Sequence, residues 1–460
     1  MKSYDVIWIG TGQATGTVLP RLVKAGKSVA IVEGGRFGGS CVNYGCTPTK
    51  TIVASARAAH MAHRGPDFGV VPGEITIDFD RVMERQNKMR HDASDGLEDW
   101  LRGMKNVDIY EEFASFTGSN TVQAGEEIIC GDTIVINAGG RARALPIDGL
   151  EEVEWLNNVR LLNLEKLPDH LMIVGGSYIG LEFAQAFRRF GSQVTILERG
   201  SQLMFREDED IAVLSQEILE AEGITVHLKS SVKRVRQAAA GKIDVFFEQE
   251  GATKQITGSH LLLAVGRIPN SDRLNLEAAG VEVDAKGYIQ VDDYMQTNVP
   301  HIFAVGDING EGAFTHTAVN DGEIFWDFYA NGKDRKLSER IPTYAVFIDP
   351  PLGRVGMSEK EARKSGRNVL MATRKMKHIT RAKEKDETAG LVKILVDADS
   401  EEFLGATILG VGGDEVINMF TSFMYTKASY RLFRRAVLTH PTVAELMPWI
   451  LDDLKPLKGA

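Results

Sequence analysis

Apolar positions along the chain gather into short continuous runs, separated by glycine-rich turns and by stretches of helical spacing. Tyr4-Asp-Val-Ile-Trp-Ile9 is the first run and has the character of a strand buried on both faces of a parallel sheet. Gly10-Thr-Gly12 follows at once, then a helical stretch, then a second strand from Lys27 to Val32. Pro20 falls inside that helical stretch, where it leaves the carbonyl of Gly16 unpaired and predicts a kink. Residues 51 to 103 read as helical, with Phe79, Val82, Met83 and Met89 near the helical period, as expected of core packing. From Val107 to Ala138 short β-rich runs alternate with turns, ending in Thr133-Ile-Val-Ile-Asn-Ala-Gly-Gly140, and this segment is expected to close the first sheet. The pattern of strand, glycine turn and strand then recurs, at Leu171-Met-Ile-Val-Gly-Gly176 and Gln193-Val-Thr-Ile-Leu197. At Ile341-Pro-Thr343 the pattern changes to β alternation, which marks the start of a further domain.

Both repeats end their second strand in an acid, Glu33 and Glu198. A glycine turn between strand and helix lets backbone approach a pyrophosphate, and a carboxylate about twenty residues on accepts hydrogen bonds from ribose hydroxyls. Gly10 and Gly12 with Glu33 make one such set; Gly175 and Gly180 with Glu198 make the other. Two dinucleotide sites in one chain are far more specific than one. Thr15 stands at the third glycine position of the first set, which predicts looser packing of helix on strand there. Ser177 stands at the middle glycine position of the second, where it adds a small side chain. Glu198 also repels a 2′-phosphate, so NADH is favoured over NADPH. Arg199 and Arg206 pull the other way, and solvated surface charge is an equal reading of both.

The 460 residues are 43% hydrophobic, enough for several cores and two to four domains. A net charge of −10 argues against nucleic acid or an anionic membrane as partner and points to small-molecule ligands. No apolar stretch is long enough to span a membrane, and Met1-Lys2-Ser3 leads straight into a strand, so a cytoplasmic protein is expected. Two of its three cysteines, Cys41 and Cys46, stand five positions apart. On a regular helix that spacing puts Cα atoms about 8.7 Å apart, beyond a disulfide's reach, so bridging them needs a distorted turn. Gly45 supplies the backbone freedom, and Pro48 removes the N–H that would bond back to Tyr44. Other readings of the pair are inert thiols, a structural disulfide, or a metal site completed by His60 and His63 with Cys130 in reserve. In a reducing cytoplasm a disulfide here is transient and catalytic.

Two nucleotide folds flanking a cysteine pair resemble the FAD-dependent pyridine nucleotide-disulfide oxidoreductases, over essentially the whole chain. The resemblance is carried by Gly10-Thr-Gly12 with Glu33, Cys41-Val-Asn-Tyr-Gly-Cys46-Thr-Pro-Thr-Lys50, Gly175-Gly-Ser-Tyr-Ile-Gly180-Leu-Glu182, Ala264-Val-Gly266-Arg267-Ile-Pro-Asn270, Ile302-Phe-Ala-Val-Gly-Asp307 and His440-Pro-Thr-Val-Ala-Glu445. The cysteine motif is most similar to the mercuric-reductase-like branch, which includes reactive-chlorine-resistance and copper-reducing flavoproteins. The ending Leu454-Lys-Pro-Leu-Lys-Gly-Ala460 lacks the C-terminal cysteine pair of mercuric reductases and large thioredoxin reductases. Dihydrolipoamide dehydrogenases and glutathione reductases share both cysteines and the His-Pro-Thr stretch. Thr47 and Thr49 depart from the usual residues of the former.

What the resemblance implies is an α/β protein with two Rossmann-like domains, for FAD and for NAD(P), and a C-terminal α+β dimerisation domain. The expected boundaries are 1–150 and 271–340 for the FAD domain, 151–270 for the NAD(P) domain and 341–460 for dimerisation. The implied cofactors are FAD and NAD(P)H, with Gly266 and Arg267 among the cofactor-binding residues and Asp307 on the FAD ribityl chain. Lys50 would pair with Glu182 beside the flavin. Cys46 would lie nearer the flavin as a thiolate, and Cys41 would attack the acceptor. In a homodimer, His440, oriented by Glu445, would serve the partner subunit's cysteines as base. The acceptor would be a small disulfide, a metal ion or a quinone-like oxidant, with no resident metal. A flavin-bound redox sensor without turnover is the non-enzymatic alternative.

Overall fold

β1 (Lys2–Ile9) runs through the middle of a seven-stranded sheet, and the computed structural model describes this sheet and everything else over residues 1–457. From Val6 to Ile9 its side chains are at most 3% exposed, as a strand covered on both faces requires. β2 (Val29–Val32) and β3 (Val107–Tyr110) extend the sheet in parallel on one side of β1. On the other side lies β6 (Glu127–Ile136), which also pairs in parallel with Ile302–Ala304. β4 (Ala114–Gly118) and β5 (Thr121–Ala124) continue from β6 antiparallel. Both edges of the sheet, β3 and β4, thus come from the segment that starts at Val107, while β6, its last strand, lies inside.

α1 (Thr15–Lys24) connects β1 to β2 and runs on through Pro20. Thr15 does not loosen it. The hydroxyl is fully buried and accepts hydrogen bonds from Trp8 Nε1 at 3.0 Å and Asn137 Nδ2 at 3.1 Å, tying helix to sheet where a third glycine would have relied on close contact alone.

The long helical stretch expected after the cysteine pair is two helices, α3 (Cys46–His63) and α4 (Phe79–Arg102). Gly65-Pro66, Gly69 and Pro72-Gly73 break it, because proline cannot continue the hydrogen-bond ladder and glycine favours the turn. Phe79 and Met83 are buried, but Met89 is 49% exposed. At that level of α4 the inward face is taken by Gln86 and Arg90.

A second sheet repeats the pattern with five parallel strands, Thr225–His227, Gln193–Leu197, His170–Val174, His260–Leu263 and Trp155–Leu156 in spatial order. A three-stranded antiparallel sheet over residues 230–258 stands beside it. The C-terminal part is a six-stranded antiparallel sheet whose first strand is Thr343–Val346. One apolar core joins α3 and α4 to the second sheet and to Val346, Ile348 and Leu352 of the C-terminal part, so no sheet is an isolated lobe.

Candidate active site

Both glycine turns are built alike. Gly10 has φ +90°, and a Cβ there would stand 2.5 Å from Asn137 O; Gly175 has φ +111°, and a Cβ there would stand 2.4 Å from Ala264 O. Only glycine fits a left-handed turn pressed against the next strand's last carbonyl. Glu33 then accepts from Thr11 N at 2.8 Å, Thr11 Oγ1 at 2.7 Å and Gly35 N at 2.8 Å. Glu198 accepts from Gly176 N at 2.7 Å and Gly200 N at 2.6 Å. Each carboxylate is thus locked at the carboxyl end of its sheet, where open α/β sheets bind ligands. Two bare-backbone cradles, each beside a fixed carboxylate, suit two dinucleotides. Gly12 belongs to the first cradle, since a Cβ on it would meet Asn137 Oδ1 at 2.9 Å, and Gly180 supports the second by packing on Gly175 O.

Between the cradles lies the cysteine pair. α2 (Gly39–Tyr44) carries Cys41, α3 opens with Cys46, and Gly45 separates them at φ −135° and ψ −113°, the distorted turn that the spacing demands. A Cβ on Gly45 would lie 2.9 Å from Ser40 O. Both cysteines are free thiols. His60 and His63 do not join them at metal-ligand spacing among the described residues. A hydrogen bond from the Cys41 thiol, helped by Thr315 and by the Lys50 ammonium, outweighs burial and holds Cys46 down to about 6. Cys41, as the donor and partly buried, is pushed well above the usual thiol range.

Lys50 lies one turn along α3 from Cys46 and donates to Glu182 Oε2 at 2.7 Å. Glu182, 2% exposed, comes from the helix Tyr178–Phe190 that follows the second cradle, and its other oxygen accepts from Phe347 N at 2.9 Å. Asp307 lies in the turn Gly306–Asn309 that follows the Ile302–Ala304 strand. Burial pushes its carboxyl up against the pull of Arg267, whose Nε lies 3.3 Å away, and Arg267 also bonds Gly140 O and Ser40 Oγ. Gly266 takes the turn before it at φ +104°. A half-buried carboxyl that Arg267 holds through one oxygen suits the hydroxyls of a cofactor chain through the other.

His440 and Glu445 form a pair of their own, Nδ1 to Oε2 at 2.9 Å, with His440 exposed. Among the described residues its hydrogen bonds reach Glu445 and neither cysteine.

Three contributors escape a sequence reading. Thr315 opens the helix Thr315–Tyr329 and donates from Oγ1 to Cys41 Sγ at 2.9 Å. Asn137 ties α1 to β6 under the first cradle; the one polar residue ending an apolar strand was its signal. Phe314 stacks between His316 and Tyr344, with centroids at 5.4 and 5.7 Å, beside the pair. Threonine directly after an apolar residue at a helix start was the available hint for Thr315.

A family profile described as pyridine nucleotide-disulphide oxidoreductase matches residues 4–322, and that family's dimerisation domain matches residues 342–451. The chain belongs to the FAD-dependent pyridine nucleotide-disulfide oxidoreductases. Within this family it is 35% identical to the probable pyridine nucleotide-disulfide oxidoreductase RclA of Escherichia coli K12, over 97% of this chain and 98% of that one. It is 33% identical to dihydrolipoyl dehydrogenase of Bacillus subtilis 168 (95% and 96% covered) and 32% to mercuric reductase of Streptomyces lividans (91% and 89%). The solved Cu(II) complex of the HOCl-induced flavoprotein disulfide reductase RclA from E. coli superposes with a TM-score of 0.88 at 34% identity, covering 98% of this chain and 99% of that one. Membership makes the protein an oxidoreductase that uses FAD and a pyridine nucleotide, an enzyme rather than a sensor without turnover. No helix among the described residues is long and apolar enough to cross a membrane.

Proposed function

We propose that this enzyme takes electrons from NADH and delivers them through Cys41 and Cys46 to a small disulfide or a metal-ion acceptor such as Cu(II). The observation that carries the reading is the geometry of the pair: two free thiols on either side of the Gly45 turn, with Thr315 Oγ1 donating to Cys41 Sγ at 2.9 Å and the Lys50–Glu182 ion pair one turn along α3 from Cys46, surroundings that push the Cys46 thiol down and the Cys41 thiol up.

The first cradle, Glu33 and Asp307 would hold FAD, and the second cradle with Glu198 the nicotinamide dinucleotide. Bound FAD supplies a carrier that accepts a hydride and passes on its two electrons. The protein's residues do the rest. Lys50, paired with Glu182, keeps positive charge beside Cys46 and so favours its thiolate. Cys41 must lose its proton before it can attack an acceptor. An imidazole fixed through Nδ1 by Glu445 leaves Nε2 to take that proton. His440 is exposed and bonded to neither thiol of its own chain, which suits a homodimer in which it serves the partner's pair. The match to a dimerisation domain points the same way. Fixed by two backbone N–H groups, Glu198 favours NADH, and Arg199 and Arg206 are exposed, with no carboxylate bonded to them among the described residues. A cytoplasm that keeps thiols reduced suits a pair that must open and close. The metal-ion arm draws support from the Cu(II) complex of RclA and from the mercuric reductase relatives. Dihydrolipoyl dehydrogenase relatives favour the disulfide arm.

Anaerobic oxidation of NADH and NADPH against lipoamide, glutathione disulfide, Cu(II), Hg(II) and a quinone decides among the acceptors. NADH should be the better donor, and Cys41→Ser should abolish turnover with every disulfide and metal ion that supports it. Equal use of both nucleotides removes the argument from Glu198. Full activity of Cys41→Ser removes the role of the pair.

A further inference from the structure

Thr315 is the residue outside the pair whose side chain is bonded to both sulfurs among the described residues. Its Oγ1 donates to Cys41 Sγ at 2.9 Å and lies 3.5 Å from Cys46 Sγ. It is the first residue of a helix of 15 residues, so the partial positive charge of the helix start faces the same sulfurs. Its neighbours hold it there. Phe314 is clamped by Thr317, whose Oγ1 accepts from Phe314 N at 3.2 Å and donates to Phe314 O at 2.7 Å. The Phe314 ring lies nearly parallel to those of His316 and Tyr344, at 8° and 7°. His316 Nε2 is bonded to Thr343 O at 2.7 Å. Residues on both sides of Thr315 are thus tied down, and the hydroxyl is presented to the pair with one rotatable bond free.

We infer that Thr315 is a further catalytic residue of the cysteine pair, its hydroxyl stabilising whichever sulfur carries negative charge and thereby favouring the open, charged pair over the closed disulfide. The inference rests on the reading of Cys41 and Cys46 as the redox centre. A hydroxyl bonded to a thiolate is a charge-assisted hydrogen bond, whereas the same hydroxyl against a neutral disulfide sulfur makes only a weak one. The donor therefore acts on the difference between the two states. Thr315 is also among the causes that keep Cys46 ionised. The titratable groups facing Cys46 from other elements are Cys41 on α2 and Glu182 and Tyr178 on the helix after the second cradle, with Lys50 on its own helix. A change at Thr315 leaves all four in place.

The test is a pH titration of thiolate ultraviolet absorbance in the reduced full-length protein, with a midpoint potential of the pair measured in parallel. Thr315→Val, nearly the same volume without the donor, should move the Cys46 midpoint upward from about 6 by roughly one pH unit and make the pair's potential more negative. Thr315→Ser should restore both. If Thr315→Val fails to fold, Thr315→Ala carries the same comparison. Cys46→Ser separates the two readings. Should it leave the low transition standing, the assignment of Cys46 is wrong and the inference falls with it. Should it remove the transition while Thr315→Val leaves midpoint and potential unchanged, the role of Thr315 alone is overturned.

Discussion

Glu182 is almost fully buried, and each of its oxygens has a fixed donor, Lys50 Nζ at 2.7 Å and Phe347 N at 2.9 Å. Removing one partner of such a pair costs more than the pair contributes, because the remaining charge stays out of water. Lys50→Met keeps the aliphatic stem beside the Phe347 ring, which the ammonium faces at 4.7 Å, and removes only the charge. The expected result is a loss of about 2 kcal/mol in urea unfolding, together with an upward move of the Cys46 titration. Unchanged stability would show that the Lys50–Glu182 pair contributes nothing to folding. The same scale explains what a sequence reading can and cannot find. Lys50, Cys46, Glu33 and Glu198 lie within contiguous motifs and were legible there. Thr315 meets Cys41 only through the fold, so its place at a helix start hints at a cap and not at the thiol it reaches.

Elements set by punctuation were the most legible. The two strand, glycine and acid repeats are local grammar, and both appear as read, down to the carboxylate bonded to its own glycine loop. The long helix after the cysteines was misread because apolar periodicity resumes on α4 and hides the glycine and proline residues between 64 and 73. Met89 was misplaced because buried polar residues, Gln86 and Arg90, took the inward positions. The likeness of the two cradles yields a paired prediction. Gly10→Ala forces a left-handed alanine into Asn137 O and should lower FAD affinity at least tenfold, read by flavin release. Gly175→Ala makes the same clash with Ala264 O and should leave FAD bound while raising the Kd for NADH to a similar degree, read by nucleotide titration. Loss of FAD from both variants would mean that the cradles are not independent.

For the whole molecule, the open question is where His440 acts. Co-expressing His440→Ala with Cys46→Ser, each nearly inactive alone, gives mixed dimers with one site intact and one lacking both groups if the histidine works in trans. Random pairing makes about half the dimers mixed, so about a quarter of normal activity should return. Activity no higher than that of the parents, with mixed dimers confirmed by mass, would place His440 with its own chain's cysteines. The three parts of the chain are also bound by charge. Lys393, 2% exposed in the C-terminal sheet, is bonded to Asp208 at 3.3 Å, Asp210 at 2.8 Å and Glu359 at 2.6 Å. Those carboxylates are the one acidic group among the described residues with metal-ligand spacing, and an ammonium already fills its centre. Glu182 does the same nearer the cysteines: it sits in the part that holds the second cradle, one oxygen on the helix of Cys46 and the other on the C-terminal part's backbone. That single residue makes the parts poor material for recombination. A chimaera that imports the second nucleotide unit from a relative must bring a carboxylate that meets both Lys50 and the N–H of residue 347 at once, so exchange is expected to succeed only between parents that agree at positions 50 and 182 and carry a residue other than proline at 347.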